Sequence, residues 1–156
     1  MLASQLAILH FVIASPTLPA ANAVRSDCDR CNAGPNALLV LRWRTTGSGF
    51  LDFRSLDLAD ATLAGSGVYV ICFASNLQAV RIGQARRLRD RLRAHKTDSQ
   101  IVDATGEPLC ATWAWVPEPY KCGVEAYLAR RLYPHVGERF PSVRLVEVNW
   151  PPQIGS

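Results

Sequence analysis

The sequence predicts a small α+β domain: a central three-stranded, mostly antiparallel sheet flanked by helices, in the order β-β-α-β-α. Three observations carry the prediction. Glycines punctuate a β-branched and aromatic run, "GSGVYVICFA" (65–74), and a short turn "SNLQ" joins it to a second such run, "AVRIG" (79–83). Two later segments place apolar residues at i, i+4, which is helical spacing, and an alternating run lies between them. With 156 residues, 49% hydrophobic and 19% charged, the chain has the mass and composition of one folded domain with one core.

The elements follow in order. Residues 65–74 read as a buried strand and residues 79–83 as its hairpin partner. Residues 86–96 form a helix whose apolar stripe is Leu88 and Leu92. "PLCATWAWV" (108–116) has period-two character and supplies the third strand. A second helix runs from about Pro117 to Leu132, with Val124, Leu128 and Leu132 toward the core, and Pro134 ends it. "VRLVEVN" (143–149) reads as a last short strand, and "ALLVLRWR" (37–44) as a weaker one. The division expected is a leader or poorly ordered segment over 1–36 and an extension over 37–64 packing on the domain. The catalytic-type domain then spans 65–150, with a tail at 151–156.

Charge narrows the function. The net charge is +4, and all of the excess lies in residues 61–156, with twelve basic and eight acidic residues there. Residues 81–96 hold seven basic residues against Asp90 alone, the electrostatic footprint of a phosphate-binding surface. Taken singly, such a run is more often a solvated helix face. The five cysteines show no secreted-type disulfide spacing, and those in apolar stretches (Cys72, Cys110, Cys122) read as small hydrophobes. Cys28 and Cys31 form a lone C-x-x-C, short of the four ligands a structural zinc needs. Residues 1–23 imitate a secretory signal but lack a basic start and are too short to span a membrane. The expectation is a cytoplasmic protein with no membrane partner, export being the alternative if the leader is genuine.

Within this frame, Arg91 and His95 project from one side of the first helix, beside its leucine stripe. Glu125 follows Val124 at the edge of the second helix's apolar face, and Tyr69 lies in the middle of the first strand. Each has an ordinary structural reading when taken alone. Together at the rim of one core they suit phosphodiester hydrolysis. That reaction needs a polarised nucleophile, a cation for the charge building on phosphorus, and an anionic ligand for a metal ion.

The order of these residues resembles the GIY-YIG nuclease superfamily. Gly67-Val68-Tyr69 matches its first motif, and Arg81-Ile82-Gly83, after eleven intervening residues, matches the second. Arg91, Leu92 and His95 match the helix ending, and Glu125 the glutamate of the later helix. The "VNWP" ending, with Asn149, looks like a bacterial branch in which Val-Arg-Ile/Val-Gly replaces the usual second motif. The resemblance covers roughly 65–150.

The resemblance implies a GIY-YIG-like domain and a metal-dependent endonuclease acting on nucleic acid, DNA first. Tyr69 would position or deprotonate the attacking water, Arg91 would stabilise the phosphate, and His95 would support Arg91 or the leaving group. Glu125 would hold Mg²⁺, or Mn²⁺ in its place. Arg81, Arg86, Arg87, Arg89, Arg93 and Lys96 would track flanking phosphates. Two departures carry the alternative, a nucleic-acid-binding module that has lost cleavage. Arg81 stands where the family has a second tyrosine, and a guanidinium does not act as a base. Gly137 stands where the family has an asparagine, a place that Asn149 would fill only if the tail folds back.

Overall fold

The computed structural model describes residues 38–154 apart from residues 48, 104–105, 138–139 and 141. The leader and the Cys28–Cys31 pair lie outside the described residues. The expected hairpin is present: β2 (Gly67–Phe73) pairs antiparallel with β3 (Ala79–Ala85). On the other side of β2, β4 (Leu109–Trp115) pairs antiparallel, its residues running from Leu109 opposite Phe73 to Trp115 opposite Gly67. One strand more than expected joins the sheet. β1 (Leu51–Asp52) adds two residues to the outer edge of β4, giving the order β1-β4-β2-β3. So short an edge strand leaves little periodicity to read from sequence.

Among the described residues three α-helices complete the frame: α1 (Leu88–His95), the single turn α2 (Ser99–Val102) and α3 (Lys121–Leu132). β2 is buried along its whole length because both of its faces are covered. Its alternate residues divide between two cores, as the pleat dictates. Val68 and Val70 join Ile82, Ala114 and the α3 residues Val124 and Leu128. Tyr69 and Ile71 join Trp113 and the α1 residues Leu88 and Leu92, with Phe53, Leu56 and Leu63 closing that layer.

Among the described residues of 37–44 and 143–149, the strands expected there are not formed. These residues meet at one isolated parallel bridge, Leu39 to Val148. The physical reason is Asn149. Its side-chain amide accepts from the Leu41 N–H and donates to the Leu41 carbonyl at 3.0 Å, so a side chain takes the place of a strand ladder. The cysteine expectation is also corrected at one position. Cys72 and Cys110 are free, buried and opposite each other on β2 and β4, but Cys122 is disulfide-bonded. No helix among the described residues is long and apolar enough to cross a membrane.

Candidate active site

β3 is the edge of the sheet, and the candidate site gathers around it. Tyr69, on the neighbouring strand, stands directly opposite Gly83. A β-carbon at Gly83 would overlap the Tyr69 hydroxyl, so glycine is required for the phenol to lie across the edge strand. α1 starts where Leu88 donates its N–H to the Gly65 carbonyl at 3.1 Å, and Leu88 and Leu92 clamp it onto the Tyr69 face. That clamp carries His95, one turn beyond Leu92, beneath the sheet, where it is 5% exposed.

The Tyr69 hydroxyl and His95 Nε2 are 2.6 Å apart. His95 Nδ1 faces Asp98 Oδ2 at 3.6 Å. Glu125 approaches the same edge from α3 and accepts a 3.0 Å hydrogen bond from Gln84 Nε2 of β3. Arg81 and Arg91 act electrostatically on Tyr69, His95 and Glu125 alike, so these five side chains share one neighbourhood. Arg81 Nε is buried without a hydrogen-bond partner. Gly137, in the left-handed half of backbone space at φ +136°, comes so close that an added β-carbon would lie 3.1 Å from Arg81 Nη1.

The electrostatics follow from burial against the two arginines. Burial pushes the Tyr69 phenol above its usual range, while Arg81 and Arg91 pull it back. Burial also lowers His95, helped by the same two arginines, with Asp98 opposing. The histidine is therefore held toward its neutral form, and desolvation outweighs the favourable helix C-terminus at which it sits. The Glu125 carboxyl is raised by burial, against the Gln84 hydrogen bond and the two arginines.

No family model and no curated protein matches the chain. Solved structures of the GIY-YIG N-terminal endonuclease domain of UvrC from Thermotoga maritima are similar to it. One, bound to its catalytic divalent cation, is 24% identical over 51% of this chain and 89% of that one, with a TM-score of 0.41. The magnesium-bound form is 24% identical over 48% of this chain and 85% of that one, with a TM-score of 0.39. The element order and the antiparallel pairing of β2 with β3 and β4 agree with the fold expected from the sequence, with β1 as an added edge strand.

Four residues singled out in sequence as GIY-YIG catalytic positions, Tyr69, Arg91, His95 and Glu125, thus come together, and Arg81 joins them. Asn149 does not, because its amide is committed to Leu41 and its carbonyl to the Trp43 indole at 3.1 Å. The remaining cations divide. Arg87 and Arg93 are largely exposed and flank Asp90 at 3.9 and 3.4 Å, and Arg86 is exposed near Glu118. Lys96 instead donates to the carbonyls of Arg54 and Leu56 at 3.0 and 2.9 Å, and Arg89 reaches the Asp60 carbonyl at 3.5 Å. Those two tie α1 to the 52–64 segment. Sequence reasoning missed Gln84 and Asp98. Gln84 is legible only as the residue after the second motif's glycine, and Asp98 only as an N-cap three residues beyond His95.

Among the described residues no cluster of three or more His, Cys, Asp or Glu is placed to hold a metal ion. A single carboxylate still suits Mg²⁺, which keeps most of its waters and takes one or two carboxylates together with substrate phosphate. Glu125 fits that habit, since burial leaves its charge poorly solvated.

Proposed function

We propose that this protein is a GIY-YIG-type endonuclease that hydrolyses phosphodiester bonds in nucleic acid, DNA in the first instance, with a divalent metal ion. The observation that carries the reading is the convergence at one sheet edge of a phenol–imidazole pair, two arginines and a half-buried carboxylate. Each meets one requirement of the reaction. The Tyr69–His95 pair is a route for a proton away from the attacking water. Arg81 and Arg91 offer planar forks to the phosphoryl oxygens. Glu125 would hold Mg²⁺ or Mn²⁺, whose charge polarises the phosphate when bound. Exposed Arg87 and Arg93 would meet flanking phosphates without reading sequence.

One observation favours a second reading, a binding module without cleavage. Tyr69 is only 1% exposed, and the guanidinium of Arg81 stands beside it in place of the family's tyrosine. The deciding experiment incubates protein with labelled duplex, branched and single-stranded DNA under Mg²⁺, Mn²⁺ or EDTA, beside Arg91→Ala and Glu125→Ala. Metal-dependent cutting that disappears in both variants is expected. Binding without cutting under every metal would replace the nuclease with the binding module.

A further inference from the structure

We infer that Asp98 is a positioning residue for the Tyr69–His95 pair, fixing His95 as the tautomer that carries its proton on Nδ1. What settles the tautomer is which partner has a choice. A phenol hydroxyl either donates to an imidazole nitrogen or accepts from an imidazole N–H, so Tyr69 alone leaves His95 undecided. An ionised carboxylate only accepts. Asp98 Oδ2, 3.6 Å from Nδ1, therefore favours N–H on that nitrogen and leaves Nε2 bare to accept from Tyr69 at 2.6 Å. At 3.6 Å the contact is electrostatic, of the long kind that tightens as charge develops on the ring. The other charged groups acting on His95, Arg81 and Arg91, are cations with no acceptor, so they do not compete for its N–H.

Asp98 is held for this task by its own backbone role. Its Oδ1 accepts from the Gln100 N–H at 3.1 Å, capping α2, while its carbonyl accepts from the N–H groups of Ile101 and Val102 at 3.0 and 2.9 Å. One carboxylate oxygen is spent on the cap and the other faces the histidine. Burial of His95 adds support, since it favours the neutral ring in which the tautomer matters.

The chemistry rests on the nuclease reading. The Tyr69 proton passes to His95 Nε2, and the phenolate takes a proton from the attacking water. The water oxygen bonds to phosphorus as the bond to the leaving oxygen breaks. The imidazolium proton returns through solvent to that oxygen. Asp98 stabilises the imidazolium and keeps the ring turned toward Tyr69.

The test separates the cap from the histidine. Asn and Ser both cap helices, so Asp98→Asn and Asp98→Ser keep α2. Ser is too short to reach the ring, and Asn presents its NH₂ where the carboxylate oxygen was. Nitrogen-15 spectra of the imidazoles, with His95 assigned by loss of its signal in His95→Gln, are expected to show Nδ1–H in the unmutated protein. In Asp98→Asn the proton moves to Nε2, and in Asp98→Ser the two tautomers mix. With labelled DNA and Mg²⁺, kcat falls about 100-fold in Asp98→Asn while KM stays within about twofold. An Nε2–H form in the unmutated protein, or a spectrum unmoved by Asp98→Asn, overturns the inference. If the unmutated protein cuts none of the DNAs, the nuclease reading fails, yet the spectra still decide the role of Asp98.

Discussion

At the scale of single residues, Gly83 and His95 show how much of the site depends on one atom's room and one ring's solvation. Gly83→Ala places a methyl on the Tyr69 hydroxyl in a fully buried region, so the phenol must move or the edge strand must bend. Overpacking of this kind costs about 1–3 kcal/mol. A lowered urea midpoint with loss of any metal-dependent cutting is the expected result, and an unchanged midpoint would mean that Tyr69 lies elsewhere. His95 makes a pH prediction. Its folded pKa lies below the 6.5 of an unperturbed histidine, so as pH falls through 6.5 the unfolded chain takes up a proton that the folded one refuses. Stability contributed by the neutral ring is present above 6.5 and is lost as pH drops toward the folded value. The raised Glu125 carboxyl works in the opposite sense but is common to both proteins, so urea midpoints measured downward from neutral pH should fall more steeply in the native protein than in His95→Gln. The lowered carboxyls of Asp52, Asp60 and Glu118 act only at more acidic pH, below their ordinary values of 3.8 to 4.5.

At the scale of elements, α1 and α3 are held by different halves of the core. Leu92 is 0% exposed and Leu128 is 1% exposed, on opposite faces of the sheet. Leu92→Ala and Leu128→Ala should each cost about 2–5 kcal/mol in denaturant titrations, and being far apart their effects should add. Only Leu92→Ala should also disturb the Tyr69–His95 contact, since α1 alone carries His95. α1 has a second anchor that its charge run conceals. The Lys96 ammonium bridges the carbonyls of Arg54 and Leu56, so Lys96→Ala should lower stability by about 1 kcal/mol. Thermal melts check this. A residue that reads as one more phosphate contact is, in the fold, a clasp between α1 and the segment before β2.

The whole molecule turns on how the basic helix is used. If Arg87 and Arg93 meet phosphates, the log of the DNA-binding constant falls linearly with log salt. Replacing both with Ala should then shallow the slope by about 0.9 for each phosphate no longer neutralised. Lys96→Ala should leave the slope where it was, because its charge is already engaged with backbone carbonyls. A binding constant indifferent to salt would remove nucleic acid as the partner of this face.

Much of this arrangement is legible along the chain. β-branched and aromatic runs around turn formers announce β2 and β3, a period-two run announces β4, and apolar residues at i, i+4 announce α1 and α3. Local chemistry suffices there, since strand and helix periodicities are properties of consecutive residues. Consecutive residues alone set those elements and the spacing of Tyr69, Arg91, His95 and Glu125 along them. What each side chain meets is settled across the fold. Asn149 goes to Leu41 instead of the site, Lys96 to Arg54 and Leu56, and Asp98 to His95. The reason is physical. A side chain's partner across space depends on which faces the sheet brings together and on burial that strips its water, and neither is written in its neighbours along the chain.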